Sequence, residues 1–201
     1  MEIRRKKTVE RIYLTKEEFV QAENEVRFHE HLRRYAAVRR FCYGKVLDFA
    51  CGCGYGSHLL AVNPDVSKVI GIDIDEEAVT WAKQEYTHEK IEFLAKDVVS
   101  LKEKFDTLVC LETIEHLQDL TIIQKVVENC NFGQLIISFP DKKSTHFNPF
   151  HFQDFVLQDI ADLFPNYLTY YSFRTGDVQF VLLIKLPESA PSHIFRNIRD
   201  L

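Results

Sequence analysis

The sequence lacks the features of membrane and secreted proteins. No apolar run reaches the roughly 18 residues that predict a membrane-spanning helix. The basic N-terminal residues are not followed by an apolar core, so no secretory signal is expected. The five cysteines are an odd number, without the spacing of a disulfide framework or a C-x-x-C pair typical of zinc sites. We therefore expect a protein of the reducing cytoplasm with no membrane partner.

A large excess of charge of one sign is missing as well. The net charge is −5 over 201 residues, of which 27% are charged and 46% hydrophobic, so there is no general electrostatic case for binding nucleic acid. The first eleven residues carry five basic side chains, and this basic arm is most simply a solvated terminus. The length and composition indicate one globular domain with a substantial core.

Strand-like and helix-like patterns alternate along the chain. Residues 17–41 contain no Gly or Pro and repeat apolar residues at helical spacing, which predicts one long helix or two. Strands are predicted at residues 45–50, 68–73, 91–95, 105–111, 133–140, 167–173 and 178–186. Further helices are predicted at residues 56–62, 75–86, 120–130 and 152–164.

The order of these elements predicts the architecture. Strands that alternate with helices imply right-handed β-α-β units and a parallel sheet covered by helices on both faces. The turn signal at residues 175–177 predicts that a hairpin closes the chain. In sheets of this kind, ligands bind beyond the carboxyl ends of the strands.

A glycine-rich loop follows the first predicted strand in the stretch VLDFACGCGYGSHLL, residues 46–60. Gly52, Gly54 and Gly56 follow Asp48 at a spacing that differs from the dinucleotide-binding fingerprint. Because glycine has no Cβ, such a loop lets the backbone approach a ligand closely. The loop therefore marks a candidate ligand site.

Acidic side chains stand at the ends of three predicted strands. Asp73 can accept hydrogen bonds from both hydroxyls of a ribose, and Asp97 can accept one from an adenine amine. Together with Asp48 they would repel a pyrophosphate, and no arginine beside Asp73 would take the 2′-phosphate of NADP. The three acids suit a ligand with an ammonium, a sulfonium, a ribose and an adenine. The alternative is that each acid only caps a loop.

These motifs resemble those of the class I S-adenosylmethionine-dependent methyltransferases. The stretch VLDFACGCGYGS is similar to the first motif of that family, VIGIDID to its second, FLAKDV to its third and FDTLVCLETIEHL to its fourth. The ending TGDVQFVLLIKL resembles the antiparallel final strand of the family. The resemblance covers roughly residues 44–186.

The resemblance implies an α/β, Rossmann-like, seven-stranded mixed sheet in the order 3-2-1-4-5-7-6, with helices on both faces and the last strand antiparallel. It implies a methyltransferase domain at residues 44–186, preceded by a basic arm and helical cap at 1–43 and followed by a tail at 187–201. The cofactor would be S-adenosylmethionine, and one of Arg33, Arg34 or Tyr35 would meet its carboxylate. The residues expected to bind it are Tyr35, Asp48, Ala50, Cys51, Gly52, Gly54, Asp73, Ile74, Asp97, Val98 and Leu111.

A second group of candidate residues follows the fourth predicted strand. If a helical turn begins at Glu112, then Glu112, Glu115 and His116 share one face, which points to where the transferred methyl would sit. With His151, they make a plausible shell for a divalent cation, Mg, Mn, Co or Zn. A cation there would hold two substrate hydroxyls and lower the pKa of the attacked one. Alternatively, His116 is a metal-free general base, with His151 second in line and the glutamates shaping the pocket, or these residues are structural.

This second group resembles two subgroups of the family. In the Hen1-type RNA ribose 2′-O-methyltransferases, a Glu-x-x-Glu-His motif precedes a distant His and an acid–aromatic pair, here Asp154 and Phe155. The FEWT-like signature of that subgroup is absent from this sequence. Many small-molecule O-methyltransferases, including quinone-biosynthesis and glycan-cluster enzymes, carry similar E-x-x-E-H-L and NPxH stretches. The nearby Phe147, Phe150 and Phe152 would line an acceptor pocket or belong to the core.

We expect a methyltransferase that acts on the hydroxyl of a small-molecule or glycan acceptor. The alternative within the family is ribose 2′-O-methylation of RNA, a partner that the sequence does not favour. Two alternatives belong to other classes, an NAD-dependent oxidoreductase with the same alternating fold and a catalytically silent cofactor-binding module. The sequence does not predict an oligomeric state.

Overall fold

A computed structural model describes residue 13, residues 15–21 and residues 26–187 of the chain. The predicted basic arm and nearly all of the predicted C-terminal tail lie outside these residues. Within them, no helix has both the length and the apolar character that a membrane crossing requires.

Helices and strands alternate through most of the described chain. The helices are α1 (Lys16–Gln21), α2 (Val26–Val38), α3 (Tyr55–Ala61), α4 (Glu76–Glu85), α5 (Thr121–Cys130) and α6 (Leu157–Leu163). The strands are β1 (Gly44–Phe49), β2 (Val66–Asp73), β3 (Ile91–Ala95), β4 (Thr107–Leu111), β5 (Gln134–Pro140), β6 (Tyr167–Thr175) and β7 (Val178–Lys185). The helical pattern predicted at residues 17–41 is therefore two helices followed by a 3₁₀ turn, Arg39–Phe41.

The described strands form a seven-stranded sheet in the order β3-β2-β1-β4-β5-β7-β6. The predicted fold class is confirmed, including the antiparallel last strand, because β7 pairs antiparallel with both β5 and β6. By its contacts, the chain separates into two compact units, residues 1–100 and 101–201. The predicted division at residues 43 and 186 stays a prediction.

The first unit contains three parallel strands, with β2 paired to both β1 and β3. Five consecutive residues at the end of β2 are buried, as expected for a parallel strand that is covered on both faces. Asp75 caps α4 as predicted, because its carboxylate accepts the N–H groups of Glu77 and Ala78 at 2.9 and 3.1 Å. The cap places the end of β2 and the start of α4 in a fixed, tight turn.

The second unit pairs β4 with β5 in parallel and adds the β6–β7 hairpin. All five residues of β4 are buried. The helix predicted at residues 152–164 begins only at Leu157, so its first turn was predicted wrongly. The reason is that Asp154 accepts hydrogen bonds from the backbone of Ser144 and Thr145, which holds the preceding segment as a loop.

Candidate functional site

The three glycines that follow β1, of which Gly56 already belongs to α3, have different roles. A Cβ added to Gly52 would have no atom within 4 Å, so this residue faces open space. A Cβ on Gly54 would lie 2.6 Å from Cβ of Ala82, and one on Gly56 would lie 2.1 Å from Cζ of Tyr35. Gly54 and Gly56 are therefore required by packing within the unit. Only Gly52 has the open surroundings expected of a backbone that approaches a ligand.

Asp73, the last residue of β2, ties the glycine loop to the next turn. Its Oδ2 accepts the Gly52 N–H at 2.9 Å, and its Oδ1 accepts the Asp75 N–H at 2.9 Å. Ala50 enters the loop in the left-handed region with φ 58°, a conformation that costs a non-glycine residue about 1–2 kcal/mol. The next residue after Asp73, Ile74, is 79% exposed. The carboxylate and the open side of Gly52 thus lie together at the carboxyl ends of β1 and β2.

Asp48 is fully buried beneath this loop. Its two carboxylate oxygens accept hydrogen bonds from the hydroxyls of Tyr35, at 3.0 Å, and Ser57, at 2.6 Å. Burial raises the pKa of Asp48 to about 7, although both hydrogen bonds act in the opposite direction. Burial likewise raises the pKa of Tyr35. These contacts give Asp48 and Tyr35 a role inside the unit, and their expected contacts with a cofactor stay predictions.

The third predicted acid also bonds to its own loop. Asp97 is exposed, and its carboxylate accepts the Val99 N–H at 3.0 Å, which caps the 3₁₀ turn Val98–Ser100. Val98 is buried within that turn. Both interpretations of Asp97, an adenine contact and a loop cap, remain compatible with this geometry. Two further residues of the predicted cofactor set, Cys51 in the first unit and Leu111 at the end of β4 in the second, are buried.

In the second unit, Glu112 is separated from the rest of the predicted acid–imidazole group. It follows β4 in the left-handed region with φ 47°, before the 3₁₀ turn Ile114–His116. Its carboxylate accepts a hydrogen bond from the Ser138 hydroxyl at 3.1 Å. The condition for a helical face shared with Glu115 and His116 is therefore not met, because the helical turn starts two residues later. Its role as a metal ligand stays a prediction.

The other three members of the group are brought together. Glu115, His116 and His151 each offer a potential ligand atom, and these atoms lie within 4.8 Å of one another. The two imidazole rings have their centroids 4.6 Å apart and are nearly perpendicular. Glu115 is only 1% exposed. We call Glu115, His116 and His151 the imidazole cluster.

Backbone hydrogen bonds hold the imidazole cluster in place. Nδ1 of His116 lies 2.9 Å from the carbonyl oxygen of Phe150, and the Phe152 N–H donates to the carbonyl of Glu115 at 2.8 Å. Nδ1 of His151 lies 2.6 Å from the hydroxyl of Ser144. Sequence reasoning missed Ser144, because nothing in its spacing connects it to His151.

Three aromatic side chains beside the cluster in the sequence are exposed. The exposed fractions are 68% for Phe147, 57% for Phe150 and 49% for Phe152. The alternative that they belong to the core is therefore wrong, whereas Phe155 is buried and packs on Phe139 at 5.9 Å between ring centroids. That they line an acceptor pocket stays a prediction.

Residues 43–170 match the family described as methyltransferase domain. The chain belongs to this family. A probable S-adenosylmethionine-dependent methyltransferase of Mycolicibacterium smegmatis is 30% identical over 156 residues, which cover 71% of this chain and 58% of that protein. A ubiquinone biosynthesis O-methyltransferase of Coxiella burnetii is 33% identical over 94 residues, which cover 42% of this chain and 36% of that protein. The chain thus matches little more than half of the first relative's length and about a third of the second's.

The fold of the chain also occurs in a solved enzyme structure. The magnesium protoporphyrin IX methyltransferase of Synechocystis PCC 6803, with bound S-adenosylhomocysteine, has a TM-score of 0.65 at 20% identity. The match covers 82% of this chain and 86% of that one. With the strand order, this likeness confirms the class I methyltransferase fold that the motifs predicted.

Proposed function

We propose that the chain binds S-adenosylmethionine and transfers its methyl group to a hydroxyl of a small-molecule or glycan acceptor. The observation that carries the proposal is the open space at Gly52 beside the Asp73 carboxylate, in a chain of the methyltransferase family. An acceptor-only carboxylate suits the two ribose hydroxyls. The space free of a Cβ suits close approach of the methionine moiety to the backbone of residues 50–52.

The mechanism divides between binding and proton transfer. When bound, the cofactor supplies an electrophilic methyl group on a positively charged sulfur. The residues of the chain then align the acceptor and exclude water, for which effective molarities reach about 10⁵–10⁸ M in well-oriented systems. A hydroxyl acceptor also needs a base, because its pKa lies far above 7.

His116 is the proposed base. The carbonyl oxygen of Phe150 can only accept a hydrogen bond, so Nδ1 of His116 carries the proton in that contact. The neutral ring then has its lone pair on Nε2, where it can take a proton from an acceptor hydroxyl. His151 is the second candidate for the same task.

The imidazole cluster also fits a divalent cation. A buried carboxylate and two imidazoles are a donor set of the kind that binds zinc, cobalt or manganese. Glu115, His116 and His151 would hold the ion, which would supply a Lewis acid that lowers the pKa of an acceptor hydroxyl. The Hen1-type enzymes carry the same Glu-x-x-Glu-His motif followed by a distant His. For that reason this donor set favours the second candidate function, 2′-O-methylation of a ribose in RNA.

The proposed acceptor is a small molecule with an apolar or aromatic part. The exposed rings of Phe147, Phe150 and Phe152 offer stacking surfaces for it. The name of the Coxiella relative supports transfer to oxygen.

Thermal denaturation with S-adenosylhomocysteine and with NAD tests the proposal. A ligand present at about 100 times its Kd adds roughly 2.7 kcal/mol to the free energy of unfolding, so we expect S-adenosylhomocysteine to raise the melting temperature and NAD to leave it unchanged. The reverse result would contradict the proposal. Cofactor binding without methyl transfer to any hydroxyl acceptor in a broad panel would indicate the silent binding module.

A further inference from the structure

We infer that Ser144 and Asp154 are positioning residues that fix the tautomer of His151, so that its Nδ1 carries the proton and its Nε2 the lone pair. The inference rests on the proposed function of the imidazole cluster, because both a base and a metal ligand need that lone pair. Ser144 and Asp154 act through the imidazole and have no contact of their own with an acceptor in this scheme.

Asp154 anchors the arrangement as a carboxylate that can only accept. Its Oδ1 accepts the N–H of Ser144 at 2.6 Å and that of Thr145 at 3.2 Å, and its Oδ2 accepts the Thr145 hydroxyl at 2.7 Å. The Ser144 N–H, followed by the Thr145 hydroxyl, lowers the pKa of Asp154 to about 2. The group is therefore ionised at neutral pH.

The Ser144 hydroxyl lies between this carboxylate and the imidazole. Ser144 is buried, and its Oγ is 2.6 Å from Nδ1 of His151 and 3.5 Å from Oδ1 of Asp154. A hydroxyl has one proton to donate. If that proton points to Asp154, the oxygen accepts Nδ1–H from His151. If it points to Nδ1 instead, His151 must carry its own proton on Nε2.

The charge on Asp154 decides between these two states. A hydroxyl dipole close to a carboxylate is stabilised when its proton faces the negative oxygen, because hydrogen bonds to ionised groups are stronger than neutral ones. Only the first state keeps the contact from the Ser144 hydroxyl to Oδ1 of Asp154, at 3.5 Å, as a hydrogen bond. The geometry therefore favours a chain of donors that runs from His151 through Ser144 to Asp154.

The neighbouring imidazole reaches the same state by a different contact. Nδ1 of His116 donates to the carbonyl of Phe150, so in this scheme both rings of the cluster carry their lone pair on Nε2. Histidines that bind metals are oriented in this way, by an N–H donated to a carbonyl or carboxylate group. In His151 the serine hydroxyl connects the ring to the carboxylate.

The tautomer of His151 can be measured directly. Long-range ¹H–¹⁵N correlation spectra of metal-free, ¹⁵N-histidine-labelled protein at about pH 8 distinguish Nδ1–H from Nε2–H in neutral rings, and His151→Gln identifies the signal. We expect Nδ1–H in the wild type. In Ser144→Ala the ratio of Nδ1–H to Nε2–H should fall about tenfold, the effect of one lost hydrogen bond. Asp154→Asn should lower the ratio too, because the charge that orients the hydroxyl is gone.

Thr145→Val is the matched control. It removes the Thr145 hydroxyl, which donates to Asp154, and leaves the contact between Ser144 and His151 unchanged. An Nε2–H tautomer in the wild type overturns the inference. So does an unchanged ratio in Ser144→Ala, or an equal shift in Thr145→Val. If Ser144→Ala does not fold, the wild-type tautomer and Asp154→Asn decide. The spectra need no cofactor or acceptor, so these outcomes are separate from a failure to bind S-adenosylhomocysteine, which would count against the proposed function.

Discussion

Gly56 lies directly against the ring of Tyr35, so that a Cβ on Gly56 would be 2.1 Å from Cζ of the tyrosine. The tyrosine cannot withdraw without cost, because its hydroxyl donates to the buried Asp48. The glycine-rich loop is thus fixed to α2 on one side, while Gly52 on the other side faces open space.

Gly56→Ala and Gly52→Ala are therefore expected to have different effects. Gly56→Ala should lower the free energy of unfolding by about 3 kcal/mol or more, because the added methyl overlaps a ring in a packed core. Gly52→Ala should cost only about 1–2 kcal/mol, for a non-glycine residue at φ 52°, but should weaken binding of S-adenosylhomocysteine about tenfold or more. Urea denaturation and calorimetry measure the two effects. Equal destabilisation by the two changes would contradict the division of roles.

The raised pKa of Asp48 predicts a pH-dependent stability. Between about pH 4 and pH 7 the unfolded carboxyl is ionised while the folded one keeps its proton. The protonated Asp48 carboxyl therefore makes its full contribution to the free energy of unfolding below pH 4, and this contribution is lost as the pH rises to about 7. The expected slope is about −1.4 kcal/mol per pH unit within that window. Urea denaturation of the wild type and Asp48→Asn across this range measures it.

The difference between these two proteins isolates the effect of Asp48. Other titrating groups contribute equally to both, including His31, whose pKa burial lowers to about 4 and whose effect has the opposite sign. The free energy of unfolding of the wild type minus that of Asp48→Asn should fall with rising pH and become constant above pH 7. A difference that rises or stays flat would show that Asp48 is ionised in the folded protein at lower pH.

Two neighbouring aspartates provide a matched test of the cofactor site. Asp73→Ala should weaken binding of S-adenosylhomocysteine by about 1.5–3 kcal/mol, because the ribose hydroxyls lose a charged acceptor. Asp75→Ala removes the cap of α4 and should lower the free energy of unfolding by about 0.5–2 kcal/mol while leaving that affinity unchanged. Titration calorimetry and urea denaturation separate the two. Unchanged affinity in Asp73→Ala would remove the ribose contact from the proposed site.

Cobalt binding tests the imidazole cluster. Co²⁺ added to chelator-treated protein should give the absorption bands of a nitrogen- and oxygen-coordinated ion. His151→Ala should weaken this binding more than about 100-fold, since even loss of a group that only orients a ligand costs about 10–100-fold. His146→Ala is the control, because this exposed imidazole lies in the same loop but outside the cluster. No binding by the wild type would leave His116 as a metal-free base.

Much of the fold could be predicted from the sequence, because its signals are local. The apolar runs of β1 to β7 have strand length, and Asp75 directly precedes the helix that it caps. The glycine motif also indicated the family correctly, as it depends on a short stretch of chain. The start of α6 could not be predicted in this way, because Asp154 reaches back to the backbone of Ser144, ten residues earlier.

The details of the site depend on contacts between distant segments. The bonds from Tyr35 and Ser57 to Asp48 join α2 and α3 to β1, and no periodicity encodes them. Glu112 was grouped with Glu115 because their spacing fits a helix, but a left-handed residue at the end of β4 breaks that spacing. Side-chain direction at such strand ends is set by backbone torsions that the residue types alone do not reveal.

The double role of the Asp73 carboxylate has a practical consequence. The carboxylate accepts hydrogen bonds from the backbone N–H groups of both Gly52 and Asp75. A ligand that donates a hydrogen bond to the same carboxylate should therefore shift the amide resonances of both residues at once. Those two resonances are built-in reporters of occupancy, and a screen of candidate ligands could follow them without a coupled enzyme and before the acceptor is identified.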